Sequence, residues 1–310
     1  MLCTPDFPAR LTLELTNQCN YTCAMCPSRL RPEEPRGHMP ANLFRRLVHE
    51  ASHYLPVALV PFFRGESLLH PEMLSLLAYA KQKGLGPIQL ASNGALLDED
   101  TARGLLDLGL DFISFSLDSN RPEEYAQIRR GGELNKVKRS IARFLELRDA
   151  GGYATEVQVS ATRIGANGNS IAEFVHFWRN KADRTRIYYE HSADGHTGSL
   201  NCPEVPTEMP RRACHKLFKE TVVYCDGQVV LCNHDWFRPV PLGNAKEADL
   251  YHIWHGPAYE DLRRQHLDPE NLADKTCLHC DHWKTYYLEQ PFIGELYTKK
   301  TWERRHDRDI

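Results

Sequence analysis

Two hydrophobic rhythms alternate along residues 10–190. Short β-rich runs at 10–16, 57–63, 87–92, 111–117, 155–162 and 184–191 read as strands. Longer amphipathic stretches at 40–53, 71–83, 98–108, 121–150 with a break at Gly131-Gly132, and 169–181 read as the helices between them. Strands joined by crossover helices predict a parallel sheet whose C-terminal strand ends carry the functional loops. The expected fold class is α/β, with a partial (β/α)6 TIM-like barrel over residues 1–195. From residue 192 the rhythm gives way to a linker containing Gly and Pro, 192–210, so residues 196–310 are expected to form a linker and a small α+β domain. Within it, runs at 221–224 and 229–232 flank Asp226-Gly227, a strong hairpin signal, and 249–265 reads as one helix. The tail after Trp283 has no clear period.

Composition narrows the class. A chain of 310 residues, 42% of them hydrophobic, can bury a full core. The formal net charge of -3 leaves no chain-wide basic footprint for nucleic acid. No stretch approaches the roughly 20 apolar residues of a membrane helix, and the N-terminus lacks the order of a signal peptide. A cytoplasmic location follows as the expectation, with neither nucleic acid nor a membrane as partner. In that reducing compartment ten cysteines are too many for inert core thiols and badly placed for disulfides, which leaves metal binding. Three fall within residues 19–26 and five within 214–280, so two metal stations are implied.

The first station follows the first strand directly. In LTLELTNQCNYTCAMC, Cys19, Cys23 and Cys26 stand in a C-x-x-x-C-x-x-C spacing. Iron–sulfur clusters usually take four cysteines, so three leave one iron open to a substrate or cofactor. A zinc site completed by a remote Cys or His is the alternative. This segment resembles the cluster loop of the radical S-adenosylmethionine (SAM) superfamily, in which three cysteines hold a four-iron four-sulfur cluster and the methionine moiety chelates the fourth iron. Three later strand ends agree with the resemblance. Gly65-Glu66 is similar to the motif that contacts the cofactor's amino group, and Ser92-Asn93 to the segment that contacts its ribose and carboxylate. The run Ser116-Leu117-Asp118, with Tyr125 and Ile128-Arg129 after it, resembles a third conserved stretch of the family. Met25 stands where members often carry an aromatic residue beside adenine, and its thioether can also pack against a ring.

At the second station, Cys214, Cys232 and the C-x-x-C pair Cys277 and Cys280 make four thiols. Their surroundings, Asp226 to Cys232, Leu242-Gly243-Asn244 and Ile253-Trp254, resemble the auxiliary-cluster domains called SPASM and its shorter form, twitch. No cysteine follows Cys280, so the twitch form with one auxiliary 4Fe-4S cluster fits better. A zinc ribbon is the alternative, Cys225 is a fifth candidate that could exchange with Cys214, and Cys3 and Cys202 read as ordinary thiols.

The resemblance implies an enzyme that takes SAM, two 4Fe-4S clusters and an external electron donor such as flavodoxin or ferredoxin. A 5′-deoxyadenosyl radical would abstract a substrate hydrogen, and an auxiliary cluster would accept an electron in a net oxidation. Twitch-bearing relatives oxidise an alcohol of an aminocyclitol, so a dehydrogenase acting on a small hydroxylated molecule is the leading expectation. Glu190, His191 and Arg163, at the ends of the sixth and fifth strands, are the candidates for the catalytic base. Rival expectations are a peptide-modifying radical enzyme, a redox-neutral epimerase and a non-catalytic electron-transfer module. The first of these often carries a recognition domain ahead of the cluster loop, whereas eighteen residues precede Cys19 here.

Overall fold

The computed structural model describes residues 2–31, 33–190, 205–206, 208–237, 241–288 and 294–298. Strands and helices alternate as the periodicity predicts: β1 (Arg10–Leu13), α1 (Ala41–Ala51), β2 (Ala58–Val60), α2 (Met73–Gln82), β3 (Gln89–Ser92), α3 (Glu99–Asp107), β4 (Phe112–Ser116), α4 (Pro122–Ile128), α5 (Leu134–Gly151), β5 (Glu156–Arg163), α6 (Ile171–Trp178) and β6 (Arg184–Tyr189). The break between α4 and α5 falls at Gly131-Gly132. Strands β1 and β2 pair in parallel, as do β3, β4, β5 and β6, and a parallel bridge from Leu59 to Ile88 joins the two groups. Spatial order therefore follows chain order, which makes the arc of a partial barrel.

Side-chain alternation sorts the two faces of that arc. Ile113, Phe115, Val157, Val159 and Ile187 pack into the main apolar core, where Phe115 meets Phe144 of α5 edge to face. Ser114, Gln158, Ser160 and Arg186 take the alternate positions and are also buried. Buried polar side chains need partners, and Gln158 Nε2 donates to Ser114 Oγ at 2.8 Å.

The C-terminal segment is joined to the barrel sheet. Its first strand, β7 (Glu220–Val223), pairs in parallel with β1, and β8 (Gln228–Val230) and β9 (Gly243–Asn244) follow antiparallel. Gly227 closes the expected hairpin at φ +93°, where an added Cβ would meet Asn244 Oδ1 and Lys246 Cγ at 2.9 Å. The stretch expected as one helix over 249–265 is two, α7 (Leu250–Trp254) and α8 (Pro257–Leu267). Gly256 lies extended between them and Pro257, with no N–H to continue the ladder, begins the second. Helix α9 (Lys275–His279) carries Cys277, whose amide Asp274 caps at 3.0 Å. In the tail that showed no period, β10 (Glu295–Thr298) adds antiparallel to β6, a strand too short to declare itself in sequence. No helix among the described residues is long and apolar enough to cross a membrane.

One buried ion pair ties these pieces together. Glu14, just beyond β1, is 0% exposed and accepts from Arg64 Nε at 2.6 Å and Arg64 Nη2 at 2.9 Å. The same carboxylate accepts from the Cys225 amide at 3.1 Å, beyond the end of β7. Arg64 lies over the Tyr224 ring at 3.4 Å, and burial, which works against its charge, is outweighed by Glu14, so its pKa rises. Removing one member of such a pair strands a buried charge at a cost of about 3–5 kcal/mol. Arg64→Met is therefore expected to lower the thermal midpoint sharply, while Arg103→Met, at an exposed helix-surface pair, leaves it nearly unchanged in parallel melting curves.

Candidate active site and auxiliary metal station

The cysteine loop is built by its neighbours more than by itself. Before it, the Gly37 amide donates to Asn17 Oδ1 at 2.9 Å and Thr16 Oγ1 donates to the Gly37 carbonyl at 2.7 Å. Within it, the amides of Thr22 and Ala24 donate to the carbonyls of Arg130 and Ile128 at 3.0 and 2.8 Å, so the end of α4 supplies a ledge for the three thiols. Cys19 is exposed, Cys26 half-buried and Cys23 buried. Burial raises the Cys23 thiol, with Arg129 opposing the shift. Arg129 Nη1 reaches Cys23 Sγ at 3.6 Å, and its Nε is bound by Asp118.

Gly65 and Glu66 close on this loop from β2. A Cβ at Gly65 would stand 2.3 Å from the Thr16 carbonyl oxygen and 2.5 Å from that of Gln18, so only glycine permits the approach. The Glu66 amide donates to the Gln18 carbonyl at 2.8 Å. Its carboxylate, 3% exposed, accepts from Ser92 Oγ at 2.9 Å, from the Asn93 amide at 2.8 Å and from the Leu68 amide at 3.2 Å. Burial raises its pKa, and those three donors hold the shift back. Asn93 Nδ2 donates to Asn20 Oδ1 at 2.8 Å, which brings the end of β3 onto the cysteine loop as well.

Four of the expected cofactor residues, Gly65, Glu66, Ser92 and Asn93, thus form one connected group against the loop of Cys19, Cys23 and Cys26. Asp118 sits at φ +65° and is fully buried, its carboxylate given to Arg129 and to the Thr162 amide at 2.7 Å. Ser116 pairs with Ser160 across β4 and β5, and Met25 is half-buried against the core. Of the base candidates, Glu190 is half-buried directly after β6. Arg163 donates to Glu295 of β10 at 3.1 Å, and His191 lies outside the described residues.

The second station is a pocket lined by Cys214, Cys232, Cys277 and Cys280 together with Arg211, Lys216, His234, His266 and His282. Burial raises the thiols of Cys214, Cys232 and Cys277, so a metal centre that takes the place of their protons would hold them as thiolates. The His234 amide donates to Cys232 Sγ at 3.4 Å. Among the described residues no three Cys, His, Asp or Glu side chains converge on a single-ion site. Four thiols set around a volume match a cubane, whose cysteines each hold a different iron. Cys225, expected as a possible exchange partner for Cys214, is not in this wall. It faces Glu14, and burial together with that carboxylate pushes its thiol up to about 12. Cys202 lies outside the described residues.

Comparison with known proteins decides the family. Residues 13–176 match the model of the radical SAM superfamily, just over half of the chain. The chain belongs to the radical SAM superfamily. Residues 214–281 match the SPASM iron–sulfur cluster-binding domain. The radical SAM chain is 30% identical over 315 residues to the tungsten-containing aldehyde ferredoxin oxidoreductase cofactor-modifying protein of Pyrococcus furiosus, covering 87% of this chain and 86% of the relative. It is 33% identical over 135 residues to a probable GTP 3′,8-cyclase of Methanococcus maripaludis, where it spans about half the relative's length, 45%. Among solved structures its fold resembles that of Streptococcus suis SuiB bound to the precursor peptide SuiA, with a TM-score of 0.69 at 17% identity over 93% of this chain and 75% of that one. It also resembles BtrN in complex with S-adenosylmethionine and 2-DOIA, with a TM-score of 0.59 at 17% identity over 97% of this chain and 98% of that one. The cofactors of this radical SAM chain are S-adenosylmethionine and two 4Fe-4S clusters, for which the two cysteine sets are the fitting donors.

Glu14, Arg64 and His266 were not singled out as site residues from the sequence, and Arg129 was named only within a family-like run. The signal was present for Glu14, a charge in a run of otherwise uncharged alternating Leu and Thr, while the others need the fold to find their partners. Because the Gly65 approach leaves no room for a methyl group, Gly65→Ala is expected to weaken SAM binding by roughly 100-fold through displacement of the cysteine loop. The check is the SAM-induced change in the electron paramagnetic resonance (EPR) spectrum of the first cluster, which should vanish at SAM concentrations that saturate the wild type while the auxiliary signal persists.

Proposed function

We propose that the enzyme oxidises an alcohol of a small hydroxylated molecule, of aminocyclitol or sugar type, to a ketone. The observation that carries this reading is the thiol count at the auxiliary station. Cys214, Cys232, Cys277 and Cys280 saturate one cubane and leave no iron open to substrate, which suits an electron acceptor. When bound, SAM supplies the 5′-deoxyadenosyl radical that takes one substrate hydrogen, and the auxiliary cluster supplies the acceptor that a net two-electron oxidation needs.

The chain's own residues bind, orient and move one proton. Gly65, Glu66, Ser92 and Asn93 form the cradle for the cofactor, and Asp118 acts at a remove by fixing Arg129 against Cys23. The polar barrel face of Ser114, Gln158 and Ser160 favours a substrate with several hydroxyl groups over an apolar one. Glu190, at the C-terminal end of β6, takes the hydroxyl proton, with His191 as the neighbouring candidate. Arg163 is a fixed positive charge held by Glu295, since a guanidinium does not give up its proton. Flavodoxin or ferredoxin delivers the electrons. The similarity to BtrN, solved with SAM and 2-DOIA and covered over 98% of its length, supports this class.

A second reading, peptide modification, is favoured by the higher TM-score to SuiB, a structure bound to a precursor peptide. Anaerobic turnover with SAM, a reductant and a panel of aminocyclitols and sugars separates the two. The expected result is 5′-deoxyadenosine formed together with a product lighter by two hydrogens, and a 10²–10⁴-fold loss of rate in Glu190→Gln. A product of unchanged mass points to epimerisation, and 5′-deoxyadenosine formed only with peptides to the second reading. Either outcome overturns the alcohol-oxidation proposal.

A further inference from the structure

His266, on the inner side of α8, is 2% exposed and lines the same pocket as the four auxiliary thiols. Its ring is oriented by one of them: the Cys214 amide donates to His266 Nδ1 at 3.2 Å. An imidazole nitrogen that accepts carries no proton, so in the neutral ring the hydrogen is on Nε2. That Nε2 is buried and has no partner in the protein. A buried donor left unmade is costly, and a group outside the polypeptide that answers it removes that cost.

We propose that His266 is a redox-positioning residue that donates an Nε2–H···S hydrogen bond to the auxiliary cluster and raises its reduction potential. Four cysteines already saturate the irons, so the ring serves as a donor to sulfur and not as a ligand. Reduction adds negative charge to the cluster, and a donor aimed at sulfur stabilises that charge. The same pocket holds the backbone donor from His234 to Cys232 Sγ at 3.4 Å, so His266 is the side-chain complement to a bond the fold already makes. Through its Nδ1 acceptor the ring also fixes the backbone of Cys214, and one residue sets both the position of a ligand and the electron affinity of what it binds.

The inference rests on the auxiliary cluster alone and stands whether or not the substrate is an alcohol. The test is an EPR-monitored redox titration of the holoenzyme, in which the SAM-insensitive signal belongs to the auxiliary cluster. His266→Leu is expected to shift that midpoint negative by about 59 mV or more, a tenfold loss in one-electron acceptance. His266→Gln, which keeps an acceptor for Cys214 and a donor for the pocket, should restore most of it, and the first cluster's midpoint should not move in either variant. An unmoved auxiliary midpoint in His266→Leu, or an equal shift in both variants, overturns the proposal. Should the leucine variant fail to assemble its cluster, pulsed EPR of the reduced wild type with ¹⁵N-histidine is decisive. A weak histidine nitrogen coupling that disappears in His266→Gln is expected, whereas no coupling, or one of a size that marks direct iron ligation, contradicts it.

Discussion

A buried carboxylate must have its oxygens answered, and Glu14 finds its answers on two distant stretches of chain. Arg64 comes from the turn that leads into Gly65-Glu66, and the Cys225 amide comes from the turn of the auxiliary hairpin. Glu14 itself lies five residues before Cys19. One charge pair therefore fixes the strand that launches the first cluster loop, the turn that closes on that loop and the hairpin that leads to Cys232. The parallel pairing of β7 with β1 is the backbone counterpart of the same junction. With the ion pair broken, each of these elements could still form, but their mutual placement would lose its anchor.

That junction explains how one chain holds two metal stations in a fixed relation. The first station is assembled at strand ends, with Gly65 giving the close approach and Glu66, Ser92 and Asn93 forming a hydrogen-bonded group around it. The second is assembled between the hairpin, α8 and α9, in a pocket where burial keeps the thiols protonated unless a metal centre replaces their protons. Arg129 at the first and His266 at the second show the same economy: each fixes a cysteine and points a donor at the place where sulfur gathers charge.

Much of this was legible in the sequence because it is local. Alternating strand and helix periods give the barrel, and the spacing of Cys19, Cys23 and Cys26 needs only a strand before it. The four auxiliary thiols were legible by count, and the family resemblance supplied their grouping. What was hidden depends on pairing across long sequence separations. No local period announces that β7 will lie beside β1, or that four residues at 295–298 will close the edge of β6. Cys225 looked like a ligand because it neighbours the hairpin turn, yet its burial against Glu14 could be known only once β1 and β7 were seen as neighbours. The division of 249–265 into two helices was written in Gly256-Pro257 and is the one local signal that the periodicity overrode.

Metal analysis of the anaerobically reconstituted chain tests whether each of the two cysteine sets holds a cubane. About eight irons and a matching amount of sulfide are predicted for the wild type, and about four for the variant with Cys19, Cys23 and Cys26 replaced by Ala, whose remaining cluster should show no response to SAM. About four irons in the wild type, zinc at the second station, or loss of all iron in the triple variant would contradict it.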